Sequence, residues 1–343
     1  MIFMIRSAGG PGVRARRPGY HRPVPLRPPY PFHAALQTLQ LPVGGGHVMH
    51  VQTFGAARGQ PALVLHGGPG SGASPMLWRY LDPARYHIIV PDQRGAGRSQ
   101  PRGRTQHNST DHLLADLRQL RAHLGLARWL VVGGSWGAGL ALAHAADEPS
   151  AIDGLLLRAV FLARDEDVHW FFQGAATVQP AAWQALASQA PAEARDSLLA
   201  WLADRLQQPQ AAPREAAASA WWRWEQALAG RSDALVPTGD ALAPVVDRYR
   251  VQAHYLRHGC WLQSPKLLDR LAALHGVPTL IMHSPQDRIC RPEGAEALRG
   301  RLPQARLRWI DGAGHDPTHP AMVDAMVEAL DHFARHGRFP ATA

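Results

Sequence analysis

Lysine is nearly missing from this 343-residue chain: Lys266 stands alone among 36 basic residues, and the rest are arginine. The bias runs through the whole sequence, so it reads as a compositional habit and not as a binding device. Cysteine is scarce as well. Cys260 and Cys290 are the two present, too few for a disulfide framework in a chain of this length. A reduced, cytoplasmic setting is the expectation. No apolar stretch reaches the roughly 20 residues that a membrane span needs. The opening Met-Ile-Phe-Met-Ile is too short for a signal core, and Arg16-Arg17 leads into Pro18 and Gly19, so no export signal is expected. Acidic residues are missing from the first 30 positions, which hold six arginines. Of the formal charge of +9, that stretch takes +6 and leaves +3 for everything after it. The body is close to balanced, and its charge argues for neither a nucleic-acid nor a membrane partner. Residues 1–28 are expected to form a disordered Arg/Pro-rich tail. No internal repeat is present.

What remains is rich in short apolar runs. Leu39–Val43, His47–Phe54, Ala62–Leu65, His87–Val90, Trp129–Val132, Leu155–Phe161, Thr279–Met282 and Leu307–Ile310 read as strands. Asp111–Leu124 carries apolar residues at helical spacing after a Ser109/Thr110 cap, and Asp324–Phe333 reads as a closing amphipathic helix. Continuous apolar strands alternating with helices predict an α/β fold: a mostly parallel sheet with helices on both faces. The alternation breaks between 162 and 266, an Ala-rich stretch holding seven of the eleven tryptophans. It is expected to be a helical cap inserted between a first core part, 29–161, and a second, 267–343.

The chemistry centres on Gly133-Gly134-Ser135-Trp136-Gly137, directly after an apolar strand and before a small-residue helix. A Gly-x-Ser-x-Gly in that context is a nucleophile elbow, an α/β-hydrolase feature: a turn so tight that the flanking glycines cannot carry side chains, with the serine lifted clear of the sheet. A serine hydroxyl needs a base within reach and a third group to orient that base. On this architecture the partners follow later strands in the order acid, then histidine. Asp287 lies just beyond the strand at 279–282, and His315, flanked by Gly312 and Gly314, lies beyond the strand at 307–310. Asp316 is assigned at most a minor electrostatic role. The oxyanion of acyl transfer needs donors. The backbone N–H of Trp136 is one candidate and that of Gly68 the other. Gly67 is the alternative to Gly68, in a loop whose glycines let the backbone lie against the substrate. Asp92 and Arg94 are expected to tie loops together beneath the site. His254 and His258 are spaced i,i+4 but have no evident third ligand, so no metal and no cofactor is expected.

With these residues assembled, the chain resembles the proline iminopeptidases of the α/β-hydrolase superfamily. The likeness runs from about Pro29 to the end. It rests on His66-Gly67-Gly68-Pro69-Gly70, Asp92-Gln93-Arg94-Gly95, Gly133–Gly137, Gly312-Ala313-Gly314-His315 and Val168-His169-Trp170-Phe171-Phe172-Gln173. The resemblance implies a cofactor-free serine aminopeptidase acting on small peptides with N-terminal proline, with Ser135, Asp287 and His315 as its triad. It also implies cap carboxylates that hold the free amino group. Glu225, in Trp221-Trp222-Arg223-Trp224-Glu225, takes one of those places. At the second, the sequence reads Gln252-Ala253-His254-Tyr255-Leu256, so Gln252 replaces an acid. A further departure is His283-Ser284-Pro285-Gln286-Asp287, where the family has His-Gly-Arg-x-Asp; the loop carrying the acid is expected to run differently. Gln252 motivates an alternative on the same scaffold, a serine esterase or amidase for substrates lacking a charged amine. A non-catalytic binding protein is disfavoured because no triad member is missing. Oligomeric state is not legible.

Overall fold

The computed structural model describes residues 25–341. Eight strands form one sheet: β1 (Gln37–Gly44), β2 (His47–Gly55), β3 (Gln60–Leu65), β4 (Tyr86–Pro91), β5 (Trp129–Gly134), β6 (Ile152–Arg158), β7 (Thr279–His283) and β8 (Arg306–Trp309), in the order β1-β2-β4-β3-β5-β6-β7-β8. β1 and β2 form an antiparallel edge, β2 pairs antiparallel with β4, and every later pairing is parallel. The period of two divides each strand between two cores. Leu63, Leu65 and Val131 pack with one helical layer, while Ala62, Val64, Leu130 and Val132 pack with the other. This is why these strands read as unbroken apolar runs.

Helices α1 (Thr110–His123) and α2 (Trp136–Asp147) belong to the first face. Ser109 caps α1, accepting a hydrogen bond from the His112 N–H. Between β6 and β7 lie α3 (Asp165–Phe172), α4 (Pro180–Ala187), α5 (Leu198–Leu206), α6 (Ala211–Leu228) and α7 (Ala243–Arg257). After β7 come α8 (Pro292–Arg301) and α9 (Pro320–His336). Met322, Met326, Leu330 and Phe333 pack α9 on the second face, and Gly337 ends it at φ +64.

The inserted helices have their own aromatic centre. Trp221 lies 5.0 Å from the Phe172 ring and stacks at 5.0 Å on Tyr249, and the Trp224 indole N–H donates to the Phe171 carbonyl. They pack onto the loops of the sheet: Tyr255 sits edge-on to Trp136 at 5.3 Å, and its hydroxyl donates to Asn108.

Two sequence expectations need correction. The strand expected at 155–161 lies at 152–158; Ala159 takes φ +48, which ends the extended backbone after Arg158. Most of the stretch expected as a tail, 1–24, lies outside the described residues, but its end is docked. The Arg27 backbone N–H and guanidinium both donate to Asp324 on α9, at 2.8 and 3.0 Å.

Candidate active site

Strand order reverses direction around β3: β4 lies on one side of it and β5 on the other. In such sheets the crevice beyond the carboxyl ends of the strands at the reversal is where ligands bind. The loops leaving β3 and β5 carry His66–Gly70 and Ser135. Ser135 adopts φ +57 and ψ −124, a strained backbone held by Ser135 N–H donating to the Arg158 carbonyl at 2.9 Å. The flanking glycines are required by close approach of the backbone. A Cβ on Gly137 would stand 2.2 Å from the Leu65 carbonyl oxygen, and one on Gly133 would stand 2.3 Å from that of Gly137.

Asp287 and His315 come together. His315 Nδ1–H donates to Asp287 Oδ2 at 2.7 Å, while Asp287 Oδ1 accepts the N–H groups of Ile289 and Cys290, each at 2.9 Å. Burial pushes the Asp287 carboxyl up, but the His315 ring, its hydrogen bond, and His283 outweigh this and hold it below the usual carboxylate range. Ser284 and Gln286, on the loop carrying the acid, both have partners. Ser284 Oγ accepts the Gly314 N–H and Gln286 Oε1 accepts the Gly312 N–H, both at 2.9 Å, so the acid loop grips the histidine loop.

The Ser135 hydroxyl lies within hydrogen-bonding reach of the Cys290 thiol, 3.8 Å between Oγ and Sγ, and not of the His315 ring. Burial pushes the Cys290 thiol well up, so it is a neutral neighbour. Ser135, His315 and Cys290 nonetheless line one cavity of about 300 Å³, at the small end for ligand sites. Phe161, Phe171, Phe172 and Leu256 give it apolar walls.

Gly67 and Gly68 line the same cavity. Gly67 is close enough that a Cβ there would be 3.4 Å from that of Ser135. Gly68 has φ +113 and no room for a Cβ, which would stand 2.7 Å from the Gly70 nitrogen. Trp136 lies beneath the cavity and does not line it; as the first residue of α2, its N–H has no intrahelical acceptor. Gln93 links Trp136 to the loop that carries Gly67 and Gly68. Its Oε1 accepts from the Trp136 indole at 2.8 Å, and its Nε2 donates to the His66 carbonyl at 2.9 Å. His66, kept neutral by burial, accepts the Gln93 N–H at Nε2 and donates from Nδ1 to the Gly67 carbonyl. Beneath this layer Arg94 donates to both Asp116 oxygens, at 2.6 and 2.7 Å, and to carbonyls of Val43, Gly44 and His107. Asp92 accepts the Ala73 and Arg98 N–H groups.

Glu225 and Gln252 both line the cavity, but neither stands as expected of a free ammonium receptor. Glu225 is paired with Arg248 and accepts a hydrogen bond from the Tyr249 hydroxyl at 3.3 Å. Gln252 is buried, and its Oε1 is enclosed without a partner. Sequence reasoning missed four residues here. Arg158 ends an apolar strand, is 5% exposed, and donates to the His315 carbonyl at 3.1 Å. A charge closing a buried strand was the available signal. Arg248 precedes Gln252 by one helical turn, and that spacing alone would have placed the two on one face. Arg231 and Cys290 also line the cavity and left no signal. Elsewhere, His254 Nε2 is taken by the Asn108 carbonyl and His258 Nδ1 by the His254 carbonyl. Among the described residues no group of three or more His, Cys, Asp and Glu is placed to hold a metal ion. Nor is any helix among them long and apolar enough to cross a membrane.

The family description "alpha/beta hydrolase fold" matches residues 61–319, so the chain is an α/β-hydrolase. It is 37% identical over 313 residues to the proline iminopeptidase of Xanthomonas citri, covering 90% of this chain and 100% of that one. It is 34% identical over 316 residues to a probable proline iminopeptidase of Leptolyngbya boryana, covering 90% and 97%. A solved structure, a proline iminopeptidase-related protein from Thermus thermophilus, superposes with a TM-score of 0.51 at 27% identity, over 89% and 99% of the two chains. The chain belongs to the proline iminopeptidase family.

Proposed function

We propose that this hydrolase removes N-terminal proline from small peptides through a prolyl-enzyme ester, with Ser135 as nucleophile, His315 as base and Asp287 as its orienting acid. The observation that carries the reading is the Asp287-bonded His315 facing the same small cavity as the strained elbow serine. Rotation of the Ser135 side chain away from Cys290 presents its hydroxyl to His315. The base takes the proton as Oγ attacks the prolyl carbonyl. The developing oxyanion meets the N–H groups of Gly68 and Trp136, which act from fixed backbone positions. His315 then protonates the leaving amine, and water hydrolyses the ester by the same relay.

The stretch 162–266 acts as the cap, and its aromatic wall receives the pyrrolidine ring. Glu225, shared with Arg248, and Gln252 face the imino nitrogen. A half-turn of the Gln252 carboxamide offers its oxygen as acceptor. Gly67 lies against the substrate backbone. A cytoplasmic setting goes with this reading, Cys260 and Cys290 both being free thiols. Hydrolysis of proline naphthylamide tests it: release of naphthylamine is expected, and its absence together with good hydrolysis of a neutral acyl ester would overturn the amine-directed reading.

A further inference from the structure

The cavity lining is mostly buried or half-buried, and its exposed members mark the mouth. They are Ser71, Ser74 and Arg231. All three are donors. Arg231 follows α6 and Gly230, and its backbone N–H is tied to the Gln226 carbonyl at 2.8 Å, which fixes where the side chain starts. Its guanidinium has no acidic partner among the described residues. The Ser71 and Ser74 hydroxyls have no side-chain hydrogen bond among them either. Deeper in the same cavity the other charges are balanced or occupied. Arg248 is paired with Glu225, Asp167 with Arg164, and Arg158 donates to the His315 carbonyl. The mouth therefore presents an exposed positive charge without an acidic partner, a planar fork of N–H donors, and two exposed hydroxyls line the same cavity.

A substrate that enters nitrogen-first toward Glu225 and Gln252, with its scissile carbonyl at Ser135, must direct its leaving portion outward to this rim. In a short peptide that portion ends in a carboxylate. We propose that Arg231, with Ser71 and Ser74, receives the free α-carboxylate of a short peptide substrate, so that the enzyme favours peptides ending close to the cleaved bond. The inference rests on the aminopeptidase reading above and adds to it a specificity determinant on the leaving-group side. Guanidinium and carboxylate match in geometry, and such a charge-assisted contact at a wet rim amounts to about tenfold in affinity.

The test compares prolylglycine with prolylglycinamide, which differ in whether the far end is a carboxylate or a neutral amide. In the wild type, kcat/KM for the acid is expected to exceed that for the amide by about tenfold, chiefly through KM, and the ratio should shrink as salt is raised. In Arg231→Gln the ratio should fall to near one, and Arg231→Lys should restore part of it. Equal kcat/KM for the two wild-type substrates, or a preference that Arg231→Gln leaves intact, would overturn the proposal. Proline naphthylamide has no carboxylate and separates the two readings. If it is cleaved while the acid is not preferred, only the carboxylate proposal fails. If no proline substrate is cleaved, both fail.

Discussion

Arg248 holds the Glu225 carboxylate from the adjacent helix, one turn before Gln252 on the same cavity wall. The carboxylate proposed to receive a substrate ammonium is thus shared with a cation, and Gln252 carries no charge. Restoring the acid with Gln252→Glu is expected to lower KM for proline naphthylamide by about tenfold with little change in kcat, because the added contact holds the ammonium equally in ground and transition states. Steady-state kinetics on the two proteins decides it, and an unchanged or raised KM would show that the amine is not bound there.

Removing the existing charge should act in two ways at once. Glu225→Gln is expected to raise KM for proline naphthylamide and to lower stability by about 2–3 kcal/mol, since Arg248 is left largely buried without its counter-charge. That figure lies below the full cost of a buried pair because the Arg248 side chain keeps 25% exposure. Denaturant melts and kinetics on one preparation separate the two effects.

Two glycines near the nucleophile should behave differently. A Cβ on Gly137 meets the backbone oxygen of Leu65 at 2.2 Å, so Gly137→Ala should unfold or strongly destabilise the protein. A Cβ on Gly67 meets the Gly134 oxygen at 3.3 Å and the Ser135 Cβ at 3.4 Å. Gly67→Ala should keep the fold, measured by melting temperature, and lower kcat by about tenfold or more through displacement of the serine.

Cys290 lines the cavity beside the Ser135 hydroxyl. A small thiol-directed reagent should inactivate the enzyme. The rate should be slow near neutrality and rise with pH, because burial keeps the thiol protonated. Cys290→Ala should resist the reagent. Inactivation of that variant at the wild-type rate would place the sensitive thiol elsewhere.

Acid stability should carry the mark of His144. Burial lowers its pKa to about 4, and its Nε2 accepts the Trp129 indole N–H at 3.1 Å. The unfolded imidazole titrates near 6.5. Between those values the unfolded chain binds a proton that the folded chain does not, so stability falls as pH drops through that window, by about 1.4 kcal/mol per unit for this group. His144→Gln should remove one proton's worth of that slope. Buried His66 and His283 are shifted in the same direction, so a residual slope should remain.

The sheet was legible because strands covered on both faces leave unbroken apolar runs, and the candidate site stood out because its residues sit where those runs end. Ser135, Asp287 and His315 each follow a strand directly or by a few residues. The contacts that shape the pocket were not legible in the same way. The Glu225–Arg248 pair depends on how α6 packs on α7, and the link from Gln93 to Trp136 and His66 joins two loops to the start of α2. Cys290 reaches Ser135 across 155 residues of sequence. The end of β6 depended on a positive φ at Ala159, a residue type that gives no hint of one.

The most direct test is proline naphthylamide turnover by the wild type and by Ser135→Ala, with mass spectrometry of the intact protein during turnover. The wild type should release naphthylamine and show a transient prolyl adduct on Ser135, while Ser135→Ala should lose at least roughly a thousandfold in kcat and show no adduct. A Ser135→Ala protein that cleaves the substrate at a rate near that of the wild type would contradict the serine relay.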